Sequence, residues 1–261
     1  MRLLTFLSDF GSASPYPAAM KAAAAGICDA VLIDISHDVP PGSIREGAYL
    51  LWSVAPTCPP GTVHCAVIDP GVGTGRAALA VSSGGQVFVG PDNGVLFPAA
   101  RRLGVPAIYR LNAPSFWRHP VSATFHGRDV FAPAAAHLAS GTPVSTVGVP
   151  TKTHVDLVFP PGRREGRVLV GEVLWIDRFG NLVTSIPGHM LAEVTPQTGL
   201  VVEVGSARLE AAPARTFGDV ASGQAAVLVG SDGMVEVAVN RGSAAHVLAA
   251  SPGMALRIRP A

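Results

Sequence analysis

The sequence predicts an α/β N-terminal domain with a mostly parallel sheet, followed by a smaller, all-β, barrel-like domain. Strand-like and helix-like segments alternate over about the first 140 residues, which is typical of a doubly wound sheet. Short β-type runs separated by turn residues follow, after a stretch rich in Pro, Gly and charge. We therefore expect the α/β domain at residues 1–150, a linker at 151–166 and the barrel at 167–261.

Hydrophobic periodicity and turn chemistry justify each element of the first domain. Strands are predicted at residues 3–7, 31–35 and 63–68, and a hairpin at 79–81 and 86–89. Helices are predicted at residues 17–27, 43–54, 93–103 and 129–138. In the second domain, β-type runs occupy residues 168–176, 200–204, 225–229, 234–239 and 255–258.

The composition excludes several classes of protein. With 48% hydrophobic and 14% charged residues, the chain is not disordered over most of its length. A net charge of +1 gives no strong field for nucleic acid or an anionic membrane, so we expect neither as a partner. No apolar run reaches the length of a membrane span, and the first apolar stretch is too short for a signal peptide. Three cysteines without a CxxC pair fit a reducing, cytoplasmic location.

Acidic residues directly follow three predicted strands. Asp9, Asp38 and Asp69 each come just after a strand-like run. Ligands of open α/β sheets collect beyond the carboxyl ends of the strands. We therefore expect three carboxylates near one edge of the sheet.

Two glycine-flanked motifs carry candidate chemistry in this domain. Asp69 and Arg76 bracket a Gly-rich loop that is neither a Walker loop nor a dinucleotide fingerprint. The pair either binds a ligand or only stabilises the loop as an ion pair. His126, in the segment TFHGRD, either acts as a base or donor or is a structural loop histidine. His37 is its closest competitor.

The β domain contains two further polar clusters. Asp177 and Asn181 lie four apart across a Gly turn, so they either face a ligand or only shape the turn. Ser231 and Glu236 flank an Asp-Gly hairpin signal, with the same ambiguity. Neither HExxH nor GxSxG occurs, so neither that zinc motif nor a nucleophile elbow is indicated. These residues indicate a polar small-molecule site and leave its reaction open.

Five motifs in order resemble the S-adenosylmethionine hydroxide adenosyltransferases, which are related to fluorinase and chlorinase. They are LSDFG (7–11), VIDPGVGT (67–74), GPDNG (90–94), TFHGRD (124–129) and DRFGN (177–181). The resemblance implies an α/β domain and a β-barrel. It also implies a homotrimer whose sites each combine one N-terminal domain with a neighbour's C-terminal domain. The implied reaction converts S-adenosyl-L-methionine (SAM) and water to adenosine and L-methionine, with SAM as substrate and no cofactor or metal.

The resemblance also assigns roles to residues of this sequence. It implies a catalytic triad of Asp69, Arg76 and His126, without settling which of Asp69 and His126 takes the proton. The residues implied to bind the substrate are Asp9 at the ribose, Asp177 and Asn181 at the methionine end, Phe179 and Phe217 around adenine, and Ser231 and Glu236.

Two other functions stay open on the sequence: a SAM or adenosine sensor without turnover, and a SAM-dependent halogenase. The halogenases carry Tyr-Ser where this chain has His126-Gly127, and they lack the acid at Asp69. Gly127 has no hydroxyl to bind a halide, and the charge of Asp69 would repel one. Both differences favour water as the nucleophile.

Overall fold

The computed structural model describes residues 2–194 and 199–261 and divides into two compact units, Met1–Val158 and Phe159–Ala261. The boundary between the units falls inside the stretch expected to be a linker. The later part of that stretch forms a strand, Arg163–Glu165, that pairs within the C-terminal unit. Within the described ranges, every helix is too short or too polar to cross a bilayer.

A seven-stranded sheet, counted over the described residues, forms the centre of the N-terminal unit. Its strands are β1 (Leu3–Ser8), β2 (Val31–Ser36), β3 (Val63–Val67), β4 (Ala78–Ser83), β5 (Gln86–Pro91), β6 (Ala107–Leu111) and β7 (Gly148–Pro150). The order across the sheet is β2-β1-β3-β5-β4-β6-β7. Strands β2, β1, β3 and β5 run parallel, and β4 and β7 run against their neighbours. Since β6 is antiparallel to β4, it points the same way as β5, and the mostly parallel sheet is confirmed.

The helices of this unit largely follow the predicted pattern. They are α1 (Tyr16–Ala25), α2 (Ile44–Val54), α3 (Phe97–Leu103), α4 (Ala132–Ala139) and α5 (Val144–Val147), with 3₁₀ turns at Ala55–Thr57 and Pro114–Phe116 and a π-helix at Gly127–Phe131. Helix α3 begins at Phe97 and not at the predicted residue 93. The side chain of Asn93 accepts a hydrogen bond from the Val95 amide, and Gly94 has a φ of 98°. Both features favour a turn over a helix there.

The C-terminal unit is a closed barrel. Its strands are β8 (Arg163–Glu165), β9 (Val168–Ile176), β10 (Leu182–Pro187), β11 (Leu200–Val204), β12 (Ala207–Pro213), β13 (Ala225–Val229), β14 (Met234–Val239) and β15 (Ala255–Pro260). The order is β10-β14-β13-β12-β11-β15-β9, and a β10–β9 pairing closes the ring, while β8 extends from β9. Short helices α6 (His189–Val194) and α7 (Ala244–Val247) and a 3₁₀ turn at Phe217–Asp219 connect strands. The barrel expected from the sequence is confirmed.

Strands β10 and β12 lie outside the β-type runs that are predicted from the sequence. Strand β10 buries two polar residues, Thr184 and Ser185, and the Thr184 hydroxyl donates to the carbonyl of Val235 at 2.8 Å. Strand β12 lies largely at the surface, with only Ala211 buried. Polar or exposed strands lack the clean apolar alternation on which sequence-based assignment depends.

Candidate active site

The parallel strands β1 and β3 bring two of the predicted acids to one edge. Ser8 of β1 pairs with Val67 of β3, so Asp9 and Asp69 both follow strand ends at the same level of the sheet. Asp9 accepts a hydrogen bond from the Gly42 amide through Oδ2 at 2.8 Å. The third acid, Asp38, follows β2 and accepts a hydrogen bond from a loop amide. The sheet register thus places the three carboxylates after strand ends at one edge of the sheet, as expected.

Asp69 and Arg76 form an ion pair that is almost removed from solvent. Arg76 Nε donates to Asp69 Oδ1 at 2.9 Å and to Oδ2 at 3.1 Å, and its Nη2 donates to Oδ2. The two side chains expose only 5% and 12% of their surface. The guanidinium also lies over the ring of the buried Phe131, 5.0 Å from its centroid. This packing fixes the plane of the guanidinium and therefore the direction of its remaining N–H groups.

His126 joins this pair. Arg76 Nη2 donates to His126 Nδ1 at 2.8 Å. A guanidinium can only donate, so Nδ1 is unprotonated and the proton of the neutral ring sits on Nε2. Burial lowers the pKa of His126, and the adjacent Arg76 lowers it further, against the opposing charges of Asp69 and Asp129. The site therefore holds a neutral imidazole whose Nε2–H is a hydrogen-bond donor.

The competitor histidine belongs to a different network. His37 is buried, its Nδ1 lies 2.7 Å from the Ser8 hydroxyl, and its Nε2 lies 3.1 Å from Asp34 Oδ1. It fixes the end of β1 just before Asp9. Of the two histidines, the structure brings His126 to Arg76.

Asn93 is a positioning residue that sequence reasoning missed. Its side-chain Nδ2 donates to the carbonyl of Ile68 at 2.7 Å, directly before Asp69 in the chain. The bond holds the backbone from which the Asp69 carboxylate projects. Its only signal in the sequence is an Asn within GPDNG, which reads equally well as turn chemistry.

The C-terminal unit contains an aromatic cavity of about 650 Å³. Two of its lining rings are unusually exposed for phenylalanine, with 77% of Phe179 and 46% of Phe217 accessible. The other lining residues are Asn181, Val239, Asn240, Arg241, Gly242 and Ser243. Two exposed faces of aromatic rings beside amide groups suit a flat, polar-edged ring such as a nucleobase.

Asp177 and Asn181 hold the turn that presents Phe179. Asp177 Oδ1 accepts hydrogen bonds from the amides of Phe179 and Asn181 at 2.9 and 2.8 Å, and Oδ2 accepts from Asn181 Nδ2 at 2.8 Å. Gly180 has a φ of 83°, which closes the turn. The Asp177 side chain therefore stabilises this turn, and the turn places Asn181 in the wall of the aromatic cavity.

The two residues from the last hairpin lie apart from that wall. Glu236 is on β14 opposite Val183, and burial together with the charges of Asp177 and Asp232 raises its pKa to about 7. Ser231 is exposed in the turn between β13 and β14. Among residues 2–194 and 199–261, His, Cys, Asp and Glu side chains form no group of three that could hold a metal ion.

Comparisons with known proteins match the chain almost end to end. Residues 4–148 match the SAM hydroxide adenosyltransferase N-terminal domain, and residues 171–257 match the corresponding C-terminal domain. A protein of Salinispora tropica named (R)-S-adenosyl-L-methionine hydrolase is 44% identical, over 98% of this chain and 97% of its own. A fluorinase of Actinopolyspora mzabensis is more distant, at 28% identity over 98% and 96% of the two chains.

A solved structure of a conserved Thermotoga maritima protein has the same fold. It superposes with a TM-score of 0.93 at 37% identity, covering 98% of this chain and all of the other. The family match thus extends over both units that carry the site residues. The chain belongs to the SAM hydroxide adenosyltransferase family.

Proposed function

We propose that this protein hydrolyses S-adenosyl-L-methionine to adenosine and L-methionine, with water attacking C5′. The observation that carries the proposal is the hydrogen-bonded chain in which Arg76 binds Asp69 and His126 together. This arrangement offers a fixed positive charge, a carboxylate and an imidazole N–H around one small volume. The 44% identity to a hydrolase over nearly the whole chain supports the same reaction.

The chemistry places its demand on the nucleophile. The sulfonium leaves with the electrons of the C5′–S bond and becomes the neutral thioether of methionine, so the leaving group needs no proton. Water forms the new C5′–O bond and loses one proton overall. Because water is a very weak acid, a positive charge that stabilises hydroxide character at the attacking oxygen lowers the barrier. Arg76 supplies that charge.

The tautomer of His126 determines which residue orients the water and which residue accepts its proton. With Nδ1 occupied by Arg76, the neutral ring donates through Nε2 and orients the water oxygen. It does not take the water's proton in this arrangement. Asp69 is the anionic acceptor next to the same guanidinium, and it receives the proton or relays it to solvent.

The other predicted residues bind the substrate. Asp9 accepts hydrogen bonds from the ribose hydroxyls, and Phe179 and Phe217 stack on the adenine. The methionine end lies near Asp177, whose carboxylate attracts the substrate ammonium. The list of binding residues is completed by Asn181, Ser231 and Glu236.

The relative's name also specifies the configuration at sulfur. It is a hydrolase of the (R) form, so we propose the (R) sulfonium epimer as the preferred substrate of this chain. Separate assays on the (R) and (S) epimers test this preference, and a faster reaction of the (S) epimer contradicts it.

A product assay tests the reaction class. Purified protein is incubated with SAM, with and without chloride or fluoride, and the products are separated by chromatography. The proposal predicts adenosine and methionine in equal amounts without any halide requirement. Halide-dependent formation of a 5′-halogenated nucleoside identifies a halogenase, and binding without products identifies a sensor.

We propose further that the protein acts as a cytoplasmic homotrimer whose sites combine domains of neighbouring chains. Family resemblance supports this assembly. Two variants that impair different domains, Arg76→Gln through kcat and Phe217→Ala through KM, provide a test when they are mixed under subunit exchange and assayed at SAM well below KM. Recovered activity supports shared sites. A monomeric mass in light scattering, or no recovery after proven exchange, contradicts them.

A further inference from the structure

Asp129 is a fully buried carboxylate to which the proposed chemistry gives no role. It lies three residues after His126, in the π-helix Gly127–Phe131. Arg128 donates to its two oxygens at 2.7 and 2.8 Å, and Arg118 donates to Oδ1 at 3.1 Å. The amide of Ser122 donates to Oδ2 at 2.8 Å. A buried charge is stable only with such partners, so these hydrogen bonds fix the position of the Asp129 carboxylate.

These bonds tie the segment before His126 to the helix after it. Besides the side-chain bonds, the Arg118 amide donates to the Asp129 carbonyl at 2.8 Å, and the Asp129 amide donates to the Phe125 carbonyl at 3.2 Å. Residues 118, 122 and 125 are thereby all anchored on Asp129. His126 occupies the link between the anchored segment and the helix, so its backbone has little freedom to move.

The same segment packs against the loop that carries Arg76. Gly73, with a φ of 78°, approaches so closely that a Cβ there would lie 2.6 Å from the carbonyl oxygen of Ala123. A displacement of residues 118–125 would therefore shift both His126 and the loop that carries Arg76, which are the two partners of the Arg76–His126 hydrogen bond. That bond spans 2.8 Å and weakens steeply with distance and angle.

We propose that Asp129 is a positioning residue that holds His126 Nδ1 against Arg76. Its proposed effect on turnover rests on the function proposed above. Its effect on the state of the imidazole does not depend on that function. The two can therefore be measured separately.

The charges around His126 predict the direction of the electrostatic effect. Arg76 and Asp69 face the ring from the loop after β3, Asp129 and Arg128 lie on its own element, and Arg118 reaches Asp129 from the preceding segment. Burial acts to raise the pKa of Asp129, but hydrogen bonds from Arg128, Ser122 and Arg118 outweigh it, so this pKa is below its usual value. Asp129 is thus ionised at neutral pH, and its charge favours a protonated His126.

The test compares Asp129→Asn with Asp156→Asn in the full chain. Both changes remove a carboxylate that is paired with arginine, but Asp156 lies at the surface with 46% of its side chain exposed. We expect Asp129→Asn to reduce kcat for SAM about 10- to 100-fold, as for a misplaced catalytic group, and to change KM less than about threefold. Losing the Asp129 charge lowers the pKa of His126 and losing the Arg76 contact raises it, so the tautomer is the informative signal. We expect ¹⁵N NMR of the neutral His126 ring, in protein without substrate, to show partial loss of the Nε2–H tautomer that the bond from Arg76 selects.

The control, Asp156→Asn, should keep the wild-type kcat and the wild-type tautomer of His126. A purely structural role of Asp129 would lower the melting temperature and leave the tautomer unchanged. An unchanged tautomer in folded Asp129→Asn protein overturns the proposal. If wild-type protein does not turn over SAM but the tautomer changes as expected, the proposed function fails and the positioning stands.

A second variant decides the matter if Asp129→Asn does not fold. Arg118 is half exposed, so Arg118→Gln is expected to fold. It removes a hydrogen-bond donor to Asp129, so the Nε2–H tautomer of His126 should be partly lost and kcat should fall a few-fold. An unchanged tautomer and an unchanged kcat in this variant contradict the proposal equally.

Discussion

The polar cluster of the N-terminal unit consists of Asp69, Arg76 and His126. It differs from the aromatic cavity of the C-terminal unit in how many of its contacts are already formed before a ligand binds. Asp69 and Arg76 expose 5% and 12% of their side chains and are already bonded to one another. Phe179 exposes 77% of its surface, whereas Phe10, Tyr16 and Phe125 of the N-terminal unit pack ring against ring. The charged groups are therefore already paired without substrate, whereas the aromatic rings are exposed to solvent.

Physical chemistry explains the difference. A buried charge without a partner is costly, so the reacting cluster has to be complete in the empty protein. An exposed ring loses little in water and gains when a flat ligand covers it. We conclude that substitutions in the polar cluster should act on kcat, and that substitutions in the aromatic cavity should act on KM.

The largest expected effect is the loss of turnover in Arg76→Gln. The variant removes the positive charge that stabilises hydroxide character, so we expect kcat to fall about 10²- to 10³-fold with a much smaller change in KM. Arg110→Gln removes a surface arginine of the same unit and is the matched control. Steady-state kinetics on both variants measure the contrast. An Arg76→Gln variant that changes only KM would remove the distinction between the two regions.

Phe217→Ala should show the opposite pattern. Stacking on an aromatic ring is worth about 1–3 kcal/mol per base, so KM should rise about 5- to 150-fold while kcat changes little. The melting temperature should stay near the wild-type value because almost half of Phe217 is exposed. Val229→Ala, at a residue 48% exposed and outside the cavity wall, is the control. An unchanged KM in Phe217→Ala would exclude this cavity as the adenine site.

The decrease of kcat at acid pH tests the role assigned to His126 in the polar cluster. Protonation of His126 places an N–H opposite Arg76 and breaks their hydrogen bond, so only the neutral ring is active. Burial and Arg76 lower the pKa of His126, so kcat should stay flat as pH falls through 6.5. It should then decrease about tenfold per pH unit, as for a single group. A decrease that already begins near pH 7.5 would contradict the lowered pKa of His126.

The smallest expected effect is on the stability of the barrel. Burial, Asp177 and Asp232 raise the pKa of Glu236 to about 7 from its ordinary 4.5. Ionising Glu236 therefore costs folding free energy, and the cost grows as pH rises from 4.5 through 7. Glu236→Gln should stabilise the protein without substrate by about 1–2 kcal/mol at pH 8 and by nothing measurable at pH 4.

Denaturant titrations at the two pH values measure this difference. Glu210→Gln changes an exposed residue of β12 and should leave the stability unchanged at both. Equal stability of wild-type and Glu236→Gln protein at pH 8 would contradict the raised pKa.

The same contrast explains what the sequence could predict. The parallel strands β1 to β3 are apolar runs followed by acids, so periodicity predicts both the sheet and the edge where Asp9 and Asp69 lie. The Asp69–Arg76 pair is seven residues apart, so a turn could be predicted to close it. The contact between Arg76 and His126 spans 50 residues and depends on tertiary packing, which local patterns do not encode.

Other features were invisible for related reasons. The tautomer of His126 follows only from its partner. The bonds of Asp129 to Arg118 and Ser122, and of Asn93 to Ile68, are set by loop geometry. The segment TFHGRD carries the prediction of His126 as a site residue, but its aspartate reads as an ordinary helix-start residue until the fold buries it.

Isotope labelling tests the central claim most directly, namely that water held at Asp69, Arg76 and His126 attacks C5′. Wild-type protein is incubated with SAM in water enriched in ¹⁸O, and the nucleoside is analysed by mass spectrometry. The account predicts adenosine with one ¹⁸O at the 5′ position and unlabelled methionine. Unlabelled adenosine, label in methionine, or methylthioadenosine as the nucleoside product would contradict it.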